Sequence, residues 1–241
     1  MDVFEHHRAR GPFKEWAATD CRGFFPRFSD NLVATPEIVY QHHDHFDDYK
    51  DKTLMLVGGG PSANNDWSTQ ECDYLWSINH FFRNEKLKNI KVDLAMIMCE
   101  PDIASEEFLS YRDKHQTYIG FEIHDRWVQH RFDNYDNYFC MHTRFYGRLG
   151  AGARMKIFAA HLGFKKVYFT GFDGPEAIFD GEHAFEPGKK TLPGVFQNMN
   201  PTHVSHFWKQ QYDELWEYIH EKYPKTEFIN IGGGGKYHEK A

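Results

Sequence analysis

Apolar residues along this chain come in short runs separated by longer stretches of helical spacing. The runs at 53–57 (TLMLV), 74–78 (YLWSI), 92–98 (VDLAMIM), 117–121 (TYIGF), 137–141 (NYFCM), 166–170 (KVYFT) and 226–230 (TEFIN) read as β-strands. Between them, 151–163 (AGARMKIFAAHLG) sets Met155, Ile157, Phe158 and Leu162 at near-helical spacing and stops at Gly163, a natural terminator. A second helical pattern, 205–222, carries Phe207, Trp208, Tyr212, Leu215, Trp216 and Ile219 before Pro224 ends it. Strands alternating with helices predict an α/β, Rossmann-like fold: a parallel-rich sheet with helices on both faces. Residues 1–50 are rich in His, Phe and Asp without clear periodicity. They are expected to form an N-terminal extension packed on the core, with 51–241 as one domain.

Composition narrows this picture. A chain of 241 residues at 41% hydrophobic can bury a full core. Its formal charge of -7 argues against a nucleic-acid binder, which would show basic stripes, and the 17% of aromatic residues is not interleaved with basic runs. The start, MDVFEHHRARGPF, has no apolar signal core, and nowhere do about 18 apolar residues run together. The expectation is a cytoplasmic protein without a transmembrane segment. Cys21, Cys72, Cys99 and Cys140 lie far apart without a CxxC pair, which fits reduced thiols.

Candidate chemistry starts at LMLVGGGPSANN, Leu54 to Asn65, where a buried strand breaks into glycines. At the carboxyl edge of a parallel sheet this is where open α/β folds bind ligands, and Gly58, Gly59 and Gly60 let the backbone come close to one. Backbone N–H groups here, with a helix begun by Pro61 and Ser62, would suit a phosphate or other anion. The Walker pattern lacks its Gly-Lys-Ser/Thr ending, and the dinucleotide fingerprint lacks its later glycine and acid; about 20 residues on stands Asn79. Asn79 offers a donor and an acceptor without charge, suited to a base or ribose. Asp173 ends another strand and, with Glu100 and Asp102, could hold a hard cation or orient a ribose. Gly150 and Gly152 open the 151–163 helix, whose N-terminus could face a phosphate with Arg148 or Arg154 nearby. Each has a plainer reading as a turn, a cap or a surface charge.

Taken in order, the loop, LWSIN ending at Asn79, VDLAMIMCEPD (Val92 to Asp102) and GAGARMKIFAAHLGFKKVYFTGFDG (Gly150 to Gly174) resemble two related groups. One is the bacterial CMP-sialic-acid sialyltransferases, with their GxGPS nucleotide loop. The other is the MptE-like group of 6-hydroxymethylpterin diphosphokinases and motility accessory factors. The resemblance spans about residues 53 to 231. It implies a nucleotide-binding catalytic domain that transfers an acidic sugar from a CMP-sugar donor to a glycan or other hydroxyl acceptor. His203 and His206 open the last helix in NPTHVSHFW, where a histidine resembles the sialyltransferase base, and His206 fits slightly better. An imidazole there could take the acceptor's proton.

Two departures stand out. Gly59 occupies a place where that family usually has asparagine, and Pro175 to Asn200 contains no tyrosine to stabilise the leaving phosphate. His183, in DGEHAF, could supply a substitute donor from a segment with the composition of a lid. The MptE-like alternative would use ATP and need Mg²⁺ on carboxylates such as Glu100, Asp102 and Asp173. A nucleotide- or sugar-binding protein without turnover is the third alternative. No resident metal is assigned: neither HHDH (His42 to His45) nor His203 with His206 carries a full ligand set at a recognised spacing. The sequence leaves the oligomeric state open.

Overall fold

The structure, a computed structural model, describes residues 31–35, 37–97, 104–122, 135–143, 150–173, 182–190 and 201–232. Three strand runs lie where the apolar pattern puts them: β3 (Thr53–Val57), β4 (Tyr74–Ile78) and β8 (Lys166–Thr170). The others differ at their ends: β5 is Leu94–Met96, β6 Tyr118–Glu122, β7 Tyr138–Thr143 and β11 Glu227–Asn230. Two strands come from the stretch without periodicity, β1 (Leu32–Ala34) and β2 (Ile38–Gln41). They pair antiparallel with each other, and β2 pairs antiparallel with β7 (Ile38 opposite Thr143), closing one edge of the sheet.

The described strands make a nine-stranded sheet in the order β1-β2-β7-β6-β5-β4-β3-β8-β11. Every pair from β7 to β11 is parallel. From β3 the chain steps outward through β4, β5, β6 and β7, then returns to the other side of β3 as β8 and β11. The order therefore reverses between β3 and β8, the topological switch point at which open α/β sheets bind ligands beyond the strand carboxyl ends.

Both faces are buried, as parallel strands require. Leu54, Leu56, Trp76, Phe139 and Phe169 point to one face and pack with helix α2 (Ala151–His161) and helix α3 (Pro201–Lys222). Met55, Val57, Ala95 and Ile119 point to the other and pack with Phe81, Phe82 and helix α1 (Glu106–His115). Helix α1 was not among the elements expected from periodicity. Its signals are local: the Ser105 hydroxyl caps the Phe108 N–H at 3.2 Å, Glu106 and Glu107 occupy the positive first turn, and Arg112, Lys114 and His115 the last. The HHDH histidines serve the core. His45 stacks on Tyr118 with ring centroids 3.5 Å apart, and burial pushes its pKa down to about 3, so it packs as a neutral aromatic ring. Cys72 and Cys140 are free thiols; Cys21 and Cys99 lie outside the described residues.

Candidate functional site

The glycine loop leaves β3 and turns directly against the end of β8. Gly58 N–H donates to the Thr170 carbonyl and Gly60 N–H to the Gly171 carbonyl, both at 2.8 Å. A methyl on Gly58 would lie 2.4 Å from the Gly171 carbonyl oxygen, and one on Gly171 2.3 Å from that of Gly58. The two strand ends thus meet backbone to backbone, with Gly171 at φ +74, a conformation that favours glycine. Ser62 locks the contact: its hydroxyl accepts from Gly171 N–H at 2.8 Å, and its carbonyl accepts from the Thr170 hydroxyl at 2.9 Å. Asp173 closes the turn by accepting from Ser62 N–H at 2.9 Å. The α-helix expected to start at Pro61 does not form. Residues Pro61–Asn64 make one 3₁₀ turn, held against the end of β8 by these bonds, and the chain leaves it at Asn65 in an extended conformation.

Asn79 ends β4 in the left-handed region (φ 46), which asparagine tolerates better than most residues, with its N–H on the Met96 carbonyl at 2.8 Å. The turn it makes presents His80 and Arg83. A hairpin of β9 (Glu182–His183) and β10 (Glu186–Lys190) is laid over the glycine loop. Ala184 N–H donates to the Gly59 carbonyl at 2.9 Å, and the buried Asn84 amide holds the Ala184 carbonyl at 3.0 Å. The His183 ring covers Gly59 so closely that a methyl there would lie 2.5 Å from its Cε1. His183 Nδ1 accepts from Phe185 N–H at 3.2 Å, so the neutral ring carries its proton on Nε2. Glu186, opposite His183 across the hairpin, is 3.1 Å from His80 Nδ1 through one oxygen and 3.1 Å from Arg83 Nη1 through the other.

Helix α2 approaches the same place from the first face. Gly150, its N-cap, has φ +75, and a methyl there would meet nothing within 4 Å. Gly152 exists for a different reason: the Phe172 ring would be 2.2 Å from its methyl, and the same ring packs on Gly58. One turn on, Lys156 is 1% exposed, with no hydrogen-bond partner for Nζ among the described residues. Its amine lies over the rings of Phe169 (4.1 Å), Phe172 (4.6 Å), Trp216 (5.0 Å) and Tyr212 (5.7 Å). Burial lowers the Lys156 pKa to about 7. Burial, and then the charge of Asp173, push the Tyr212 hydroxyl up.

The structure therefore brings Gly58, Gly59, Gly60, Pro61, Ser62, Asp173 and His183 together, with Asn79 ending β4, the parallel neighbour of β3. Ser62 turns its hydroxyl inward to the sheet. Arg154 is 4% exposed within α2. Glu100, Asp102, Arg148 and residues 174–181 and 191–200 lie outside the described residues, as do the side chains of His203 and His206, whose backbones form the first turns of α3. Sequence reasoning missed His80, Asn84, Lys156 and Glu186. Only Asn84 and His80 had a signal, standing in the turn region after Asn79; the others are defined by partners far away in the chain.

No family model and no curated protein matches this sequence. Solved structures do. The sialyltransferase CstII from Campylobacter jejuni, in complex with the substrate analogue cytidine-5'-monophosphate, is 16% identical with a TM-score of 0.46, over 77% of this chain and 81% of that one. A sialyltransferase CST-II with alanine in place of one asparagine, in complex with CMP, is 19% identical with a TM-score of 0.50, over 79% and 89%. At this identity the likeness is one of fold: a mostly parallel α/β sheet of Rossmann-like type.

Proposed function

We propose that the protein is a glycosyltransferase-like enzyme that transfers an acidic sugar of the sialic or nonulosonic class from a CMP-sugar to a hydroxyl acceptor. The observation that carries this reading is the glycine loop packed on Gly171 to Asp173 at the reversal point of the sheet. The fold shared with a CMP-bound sialyltransferase, and the ordered motifs from Gly58 to Asp173, agree with it. In this proposal the nucleotide lies over Gly58 to Gly60, with Asn79 reading the base or ribose and the N-terminus of α2 at Gly150 facing the phosphate. The acceptor oxygen attacks the anomeric carbon, the bond from that carbon to the phosphate oxygen breaks, and CMP leaves with the electron pair. His206, or else His203, takes the acceptor's proton. His183 Nε2–H donates to the departing phosphate, a role left open by the absence of tyrosine from 175–200.

Calorimetry with CMP, CDP, ATP and NAD tests this first. CMP or CDP binding tighter than ATP, without added metal, is expected. Heat from ATP with Mg²⁺ and none from CMP would replace the reading by the MptE-like diphosphokinase, and nucleotide binding without donor turnover would leave a binding protein.

A further inference from the structure

The nucleotide reading gives no role to His80 or Glu186, yet these two and His183 are the described residues whose ligand atoms converge. One nitrogen from each histidine and one oxygen of Glu186 lie within 4.8 Å of one another. They come from separate parts of the chain: His80 follows β4, whereas His183 and Glu186 face each other across the hairpin. The pocket they share is sheltered, the side chains of His80 and Glu186 being 12% and 10% exposed. Glu186 divides its oxygens, one held by Arg83 at 3.1 Å and the other turned to His80 at 3.1 Å.

We infer that His80, His183 and Glu186 bind one divalent first-row transition ion, of which zinc and manganese are the fitting members, and that the ion clasps the hairpin to the sheet edge. Two imidazoles and a carboxylate are the donor set of an open zinc site and are too soft for a dedicated magnesium site. Tetrahedral ligands at about 2.1 Å from zinc stand roughly 3.4 Å apart. The His80–Glu186 pair already meets that spacing, and the third ligand closes by side-chain rotation. Arg83 orients the carboxylate from behind, as charged partners of metal ligands do. Coordination through His183 Nε2 moves its proton to Nδ1 and gives up the 3.2 Å contact from Phe185 N–H, so in the ion-bound protein the ion stands in place of the Nε2–H donor. A fourth position stays open for water. That it takes an oxygen of the donor phosphate rests on the nucleotide reading; the clasp does not.

The full chain, freed of metal, is titrated calorimetrically with ZnCl₂, MnCl₂ and MgCl₂, and then with CMP in EDTA. One zinc or manganese site per chain is expected that disappears in the folded His80→Gln/His183→Gln double variant, while magnesium gives no heat. Arg83→Met is expected to weaken that site about 10- to 100-fold. The remaining histidines are the background, so an unchanged stoichiometry and Kd in the double variant overturns the clasp. If that variant does not fold, limited proteolysis of the wild type decides: zinc must slow cleavage in 182–190, and an unchanged rate overturns the proposal. A wild-type chain that binds CMP but neither zinc nor manganese refutes the clasp alone, and one that binds the ion but no CMP refutes the nucleotide reading alone.

Discussion

Replacing Lys156 by methionine is expected to stabilise the protein at neutral pH and to lose much of that advantage in mild alkali. The lysine amine is enclosed by four aromatic rings, with no hydrogen bond from the described residues, and burial holds its pKa at about 7 against 10.5 for a free lysine. Between these two values the unfolded chain binds a proton that the folded chain does not. Stability therefore rises with pH across the interval, by about 1.4 kcal/mol per unit. The amine costs the fold about 4 kcal/mol at pH 7 and about 2 kcal/mol at pH 9 on this basis. Methionine keeps nearly the same length and packs well against ring edges, so it removes the charge without leaving a large cavity. Urea unfolding of both proteins at pH 7, 8 and 9 measures the difference, and histidines common to both cancel. The gap should close by about 2 kcal/mol from pH 7 to 9. A competing effect works the other way, since a charged amine over ring faces gains about 2 kcal/mol or more when desolvated. Parallel stability curves, with the same gap at each pH, would mean that the rings keep the ammonium charged, and would refute the reasoning.

Other expectations follow from the same contacts. Gly58→Ala drives a methyl into the Gly171 carbonyl, and backbone cannot rotate away, so a loss of about 1–3 kcal/mol with loss of CMP binding is expected in urea unfolding and calorimetry. Asn84→Ala leaves the buried Ala184 carbonyl without its amide partner; a cost of about 1–3 kcal/mol and faster proteolysis within 182–190 should result. His206→Ala should slow turnover about 10²- to 10⁴-fold with CMP affinity nearly unchanged, and His203→Ala is its control. For a histidine base, activity should fall as pH drops through about 6 to 7, and a flat profile would remove the assignment.

The parts of the fold legible in the sequence are those whose burial is two-sided. Strands β3, β4 and β8 lie inside the sheet, paired on both sides and covered on both faces, so their residues form mostly apolar runs. The edge strands β1 and β2 are three and four residues long, with a proline at 36 close by, and so carry too little pattern to be seen. Helix α1 buries Phe108 and Tyr111 while half of its ten residues stay exposed, which leaves its cap as the better signal. At the site, Gly60 and Asp173 were legible as two strand ends at one edge of the sheet; that their strands are neighbours is seen only in the fold. That Asp173 would cap Ser62, turning the following residues into a short 3₁₀ turn, depends on a contact between residues 111 apart that no local pattern encodes. The meeting of His80 with Glu186 is of the same kind. The histidines at 43 and 45 show the reverse: a motif suggestive of metal whose rings are spent on packing.

The clip from Ser62 to Gly171 joins residues 109 apart, and it sets when the site can exist during synthesis. A growing chain that has emerged only as far as β7 holds the glycine loop but nothing for it to turn against, and β3 has an open flank where β8 belongs. The site is therefore made late, by the arrival of β8, and β3 waits unpaired on one side until then. A shortened polypeptide ending before residue 166 should be both unable to hold nucleotide and prone to associate through that bare flank.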